Sequence, residues 1–318
     1  MAKTLIIAAG SPSTVIATAG FCLANYRIEQ VGGDVNIIFT QAFQVGEGSL
    51  SRKAVEALGP EDKVVLIGLP VNNREPQMTT DFVRAIGSRL IGTYDEHEPE
   101  RWAALQVELG LAPELFHTPG KGEGHLSAAS IVGNEYPEMP GEWMAAGDWA
   151  DNRQIEVTPE AKALATEVDS AVKTRIADNA FRVTVIRRLL GDPEATVAFR
   201  ARLAEGKAIE EATARALAEA ELNGQVLVLL QADRQEINQT AAMFAGYRRA
   251  PFVAVVGVKS GEGEVVVVGC NDKHPTLGKT NLLEVFGAIG LKASGIPAKA
   301  TVYGREHLGP MVEALNTL

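Results

Sequence analysis

Three short, largely apolar runs constrain this chain more than any other feature: TLIIA at residues 4–8, VNIIFT at 35–40 and VVLIGL at 64–69. They lack the apolar–polar alternation of a half-buried strand. Such runs suit strands buried on both faces, as in a parallel sheet. Helical spacing follows each of them, at residues 14–25, 51–58 and 80–89, and residues 90–94 read as extended. Strands alternating with helices predict a parallel sheet covered on both sides.

The pattern then changes. Residues 125–132 read as a helix and 136–153 as irregular, with two prolines and with Trp143 and Trp149 as apolar cover or a cleft rim. Thr158-Pro159-Glu160 is a helix start, with a capping hydroxyl before a proline at the first helical position. That helix is expected to run towards Leu190. Asp192-Pro193-Glu194 opens a second, Gly206 ends it, and a third, alanine-rich helix runs to Asn223-Gly224. Beyond it, residues 226–230, 252–258, 264–269 and 299–303 are strand-like, and 281–289 is a helix candidate. Ser260-Gly261-Glu262-Gly263 has the composition of a hairpin turn. The fold class expected is α/β: a parallel-sheet domain (residues 1–190), a helical connector (191–224) and a smaller mixed-sheet α+β domain (225–318).

Length agrees, since 318 residues suit two domains of roughly 100–200 residues each. The formal net charge of -10 disfavours long nucleic acid, whose binding rests on many Lys/Arg–phosphate contacts. A small anion in a locally positive pocket is compatible with it. Cys22 and Cys270 have no disulfide or zinc spacing and read as buried thiols. The N-terminus lacks a signal-peptide pattern, and no apolar run approaches the ~20 residues of a membrane span. A cytoplasmic location with no membrane partner is expected.

Asp95-Glu96-His97 closes the extended segment at 90–94. Carboxylate and imidazole ligate divalent metals, and strand ends in open α/β sheets face the ligand crevice. Tyr94-Asp95-Glu96-His97-Glu98-Pro99 resembles the D-H-H-x-P element of the DHH phosphoesterases. In the same register, residues 6–15 resemble that family's first motif, a strand running into H-x-D-x-D, and residues 65–72 its second. Glu167-Val168-Asp169-Ser170-Ala171 resembles the fourth, and Gly287-Ala288-Ile289-Gly290 part of the DHH-associated domain. The resemblance implies manganese or a similar ion bound by the first two motifs. Here those positions are Ala9, Ser11, Ser13 and Gly68. Asp95, His97 and Asp169 are retained, and Glu96 replaces a histidine. The glycine-rich substrate loop lacks its histidine, with Lys292 nearby.

Two further stretches carry polar chemistry. Leu277-Gly278-Lys279-Thr280 ends like a P-loop, but Lys273 stands where the first glycine belongs, which rejects that motif. His274 and Lys279, with Lys292, are expected to contact an anionic ligand. The segment from His117 to His125 reads as a covering loop rather than a metal site.

Two-ion hydrolysis needs both ions about 3.5–4 Å apart, and three or four surviving side chains under-coordinate such a pair. The expectation is a degenerate phosphoesterase-like protein, binding a phosphorylated ligand or protein partner in an interdomain cleft. Its cofactor is none, or one weakly held manganese or magnesium. The alternatives are a divergent metal-dependent phosphoesterase using Asp95, His97 and Asp169, and an assembly subunit, in which homo-oligomers would also fit. Catalytic residues are not assigned.

Overall fold

The computed structural model describes residues 2–120, 127–174, 178–230, 237–260 and 263–318. The chain divides into two compact units, Met1–Leu203 and Ala204–Leu318. The first begins with β1 (Thr4–Ala9), α1 (Pro12–Asn25), β2 (Val35–Thr40), α2 (Leu50–Glu56), β3 (Lys63–Ile67) and α3 (Pro76–Ile86). It continues through β4 (Leu90–Tyr94), α4 (Pro99–Leu109), β5 (Phe116–His117), α5 (Ala128–Glu135) and α6 (Gly141–Asp151). Then come α7 (Pro159–Thr174) and α8 (Asn179–Leu189), and α9 (Pro193–Ala218) begins in the first unit and ends in the second.

Among the described residues, five strands form one sheet in the order β2-β1-β3-β4-β5, all parallel. The apolar runs are buried on both faces because their residues alternate between two cores. Ile6, Ala8, Val65 and Ile67 pack with α1 and α5 to α8. Leu5, Ile7, Val64 and Leu66 pack with Phe82 and Val83 of α3 and Trp102 of α4. The strand order reverses between β1 and β3, so their C-terminal ends flank a switch point, where doubly wound sheets open a ligand crevice.

The second unit holds β6 (Glu221–Asn223), β7 (Val226–Leu230), α10 (Gln239–Gly246), β8 (Phe252–Ser260), β9 (Gly263–Cys270) and α11 (Leu282–Ala288). It ends with β10 (Ala293–Ile296), β11 (Lys299–Tyr303) and α12 (Leu308–Asn316). Its sheet runs β10-β11-β9-β8-β7-β6 and is mixed: β7 and β8 are parallel, the other pairs antiparallel. A parallel-sheet α/β unit followed by a mixed-sheet α+β unit is the expected class. No helix among the described residues is long and apolar enough to cross a membrane.

Several local expectations change. Gly206 does not end a helix. It is buried inside the continuous α9, where the favourable residues on either side outweigh its cost of about 1 kcal/mol. No third helix reaches Asn223; β6 takes that place. Residues 136–153 are not irregular: Pro140 caps α6 instead of breaking it, because a helix tolerates proline at its start. Trp149 is 9% exposed and packs in the core, with Trp143 half-buried against it. The helix at 125–132 is observed as Ala128–Glu135, and its first two residues lie outside the described ones, as do His125 of the loop and residues 261–262 of the hairpin turn.

Candidate functional site

Because β4 is covered on both faces, polar side chains can gather only past its end, and there Asp95, Glu96 and His97 follow. Asp95 is fully buried. Its Oδ2 accepts from Trp102 Nε1 at 2.8 Å and from the His97 amide at 3.3 Å. Its Oδ1 lies 2.9 Å from His97 Nδ1. Glu96 is 4% exposed, and its Oε2 has no hydrogen-bond partner among the described residues. Burial, and then the Asp95 charge, push the Glu96 carboxyl up to about 7; His97 opposes the shift and Asp151 adds to it. Glu98 follows in the left-handed region at φ 42°, directly before Pro99. A non-glycine residue there is strained, and strain of this kind gathers at functional sites.

Behind the cluster, Tyr94 stacks on His117 at 4.7 Å and bonds the Tyr136 hydroxyl at 2.7 Å. Burial pushes the Tyr94 phenol well up, so it stays a neutral spacer.

The ends of β1 and β3 are different. Ser11 caps α1 and receives the Thr14 amide at 3.2 Å. Its hydroxyl also lies 3.0 Å from that of Ser13 and 2.7 Å from that of Thr14. Ser13 donates to Asp151 Oδ1 at 2.7 Å. Gly68 adopts φ +59°, and its amide donates to the Tyr94 carbonyl at 2.6 Å. A Cβ on Gly68 would stand 2.5 Å from Thr14 Oγ1. This end is a closed set of hydroxyl contacts around a glycine that excludes any side chain.

The structure groups Asp95, Glu96 and His97, with one ligand atom of each within 4.8 Å of the others. Asp169 is not in that group: it sits on α7, paired with Arg153 Nη2 at 2.9 Å, and Arg153 stacks on Trp149 at 3.8 Å. In the second unit, His274 Nδ1 accepts the Leu277 amide at 3.2 Å, and Lys279 is exposed. Lys292 lines a cavity of about 380 Å³ with Ser294, Tyr303 and His307, which His274 and Lys279 do not line.

Sequence reasoning missed Asp151 and Arg182. Asp151 ends α6, the stretch read as irregular, and its spacing of three from Asp148 was the available helical signal. Arg182 of α8 is 5% exposed, and its Nε donates to the Gly10 carbonyl at 3.1 Å. Nothing in its local sequence marks it.

For a divalent ion the fit differs between the two ends. The orphaned Glu96 Oε2, Asp95 and His97 form a hard donor set suited to one ion. Ala9, Ser11, Ser13 and Gly68 supply no carboxylate, and Asp151, which accepts the Ser13 hydroxyl, is the single one there among the described residues, too few to hold a second ion.

No family model matches the sequence, and no curated protein does. Solved structures match over nearly the whole chain. The pGpG-specific phosphodiesterase PggH from Vibrio cholerae is 13% identical, with 99% of this chain and 98% of that one covered and a TM-score of 0.50. The exonuclease RecJ bound to manganese is 15% identical, covered over 99% and 90%, with a TM-score of 0.50. The DHH domain of a member of the s1p family of ribosomal proteins is 12% identical, covered over 99% and 86%, with a TM-score of 0.51. At these identities the likeness is one of fold, and the chain accordingly has the fold of the DHH family.

Proposed function

We propose that this chain is a phosphoesterase-like protein that binds a small phosphorylated ligand, or a partner presenting one, with little or no two-ion hydrolysis. One observation carries the reading: the ends of β1 and β3 hold neutral hydroxyls bonded to one another and a glycine whose Cβ would collide with Thr14 Oγ1. In-line displacement assisted by two ions needs ligands on both sides of the phosphorus. The β4 side has three such groups close together, whereas the carboxylate that reaches the β1 side, Asp151, accepts the Ser13 hydroxyl.

A second reading is favoured by the orphaned Glu96 oxygen: a divergent hydrolase working with one ion. Asp95, Glu96 and His97 would hold that ion, Trp102 fixing the Asp95 carboxylate. Such an ion polarises a phosphoryl oxygen and lowers the pKa of bound water. The phosphodiesterase and exonuclease activities of PggH and RecJ define the substrate classes to try.

The test is a manganese titration of metal-free protein by calorimetry, with His97→Ala alongside and bis-p-nitrophenyl phosphate turnover measured on the same samples. The expected result is at most one weakly bound ion, lost in the variant, and turnover at background. Two tightly bound ions with robust turnover would overturn the proposal. One ion with turnover abolished by His97→Ala would establish the second reading.

A further inference from the structure

The two buried carboxylates past β4 are not equivalent, and Trp102 makes the difference. Trp102 lies in the first turn of α4, is fully buried and packs on the Phe116 ring at 5.9 Å between centroids. Its Nε1–H donates to Asp95 Oδ2 at 2.8 Å, and the His97 amide donates to the same oxygen at 3.3 Å. A carboxylate oxygen has about two lone-pair positions, so these two donors fill Oδ2. The other oxygen faces the cluster: Oδ1 lies 2.9 Å from His97 Nδ1, which is 3.6 Å from Glu96 Oε1. Glu96, by contrast, keeps Oε2 without a hydrogen-bond partner among the described residues.

The identity of the donor matters. An indole N–H donates and has no acceptor atom, so it neither ligates an ion nor exchanges roles with one. It holds Oδ2 whether or not the cluster is occupied. Divalent ions differ in what they ask of a carboxylate. Calcium takes about six to eight oxygens in flexible geometry and uses both oxygens of one carboxylate readily. Magnesium demands near-octahedral geometry at shorter distances, and manganese also suits octahedral oxygen sites. An aspartate restricted to one oxygen therefore costs calcium a ligand and costs the smaller ions nothing.

We propose that Trp102 is a positioning residue that sets ion specificity: by filling Asp95 Oδ2 it leaves that carboxylate one free oxygen and biases the β4 site towards manganese or magnesium over calcium. The proposal deepens the one-ion reading of this site and rests on it.

The test compares manganese and calcium affinities of the full chain by calorimetry at one pH, in wild type and in Trp102→Phe, which keeps a ring and removes the donor. Wild type should bind manganese at least about ten-fold more tightly than calcium, and the ratio should fall at least about five-fold in the variant. General loosening of the site would weaken both ions together and leave the ratio unmoved. A second measurement needs no variant. In a magnesium titration followed by nuclear magnetic resonance, the Trp102 indole resonance should shift saturably while keeping the downfield position of a hydrogen-bonded N–H. If Trp102→Phe fails to fold, the wild-type ratio and this resonance decide. An unchanged ratio in folded Trp102→Phe, equal wild-type affinities for the two ions, or an indole resonance that leaves the downfield position at saturation would overturn this proposal and leave the one-ion reading standing. Binding of neither ion to wild type would overturn both.

Discussion

The ends of β1 and β4 lie on the same edge of one parallel sheet, separated only by β3, yet they carry opposite chemistry. Past β4 stand two buried carboxylates and an imidazole, one oxygen of which has no partner. Past β1 stand three hydroxyls bonded to one another and a buried guanidinium against the backbone. The strands themselves do not differ in this way: both are apolar and buried. Residues beyond a strand end contribute little to the core, so they can change while the fold stays. A strand end can thus carry metal-ligating groups or hydroxyls without any trace in the sheet.

The largest expected effect comes from trying to erase the contrast. Gly68→Asp would return a carboxylate to the end of β3. Its Cβ would collide with Thr14 Oγ1, in a backbone conformation that disfavours side chains. Left-handed strain and overpacking together predict a loss of about 2–5 kcal/mol in urea unfolding, with no gain in manganese affinity. A variant as stable as wild type that binds a second ion would show that the β1 and β3 ends form a dormant metal site.

The next effect tests the β4 side alone. Glu96 is raised from 4.5 to about 7 in the folded protein. The folded state then holds a proton that the unfolded state has released. Its contribution to stability is complete below about pH 4.5 and is lost as pH rises through 7, a change of roughly 3 kcal/mol. Metal-free wild type should therefore lose stability relative to Glu96→Gln across that window, read as urea midpoints at successive pH values. A difference independent of pH would mean that Glu96 ionises as freely as in water, which would undo the argument for a buried, ion-ready carboxylate.

How much of this contrast was legible in the sequence follows from what each residue depends on. Four of the sheet's five strands were readable because runs such as TLIIA and VVLIGL are buried on both faces, and burial leaves a composition signal; β5, two residues long, left none. The Asp95–His97 cluster was readable because its members are adjacent in the chain. Asp151 and Arg182 were not, because they reach the edge from α6 and α8, and only tertiary packing brings them to Ser13 and Gly10. Asp169, which a family-like spacing suggested as a ligand, stands on α7 paired with Arg153, a partner that local sequence does not mark either. Gly206 and Pro140 show the same limit on a smaller scale, since a breaker residue breaks a helix only where its neighbours do not outweigh it.

The smallest effect concerns the link between the two ends. Ser13 is 1% exposed and donates to Asp151, whose charge in turn adds to the upward push on Glu96. Ser13→Ala removes one hydrogen bond to a carboxylate. Asp151 is exposed, so water takes the place of the hydroxyl, and the loss should be about 0.5–1.5 kcal/mol. The informative quantity is the coupling. If the hydroxyl set and the acidic cluster act as one site, Ser13→Ala and Glu96→Gln combined should depart from the sum of their separate effects by about 0.5 kcal/mol or more, because the two side chains share Asp151 as a neighbour. Strict additivity in a double-mutant cycle would mean that the two strand ends, though on one edge, are energetically separate.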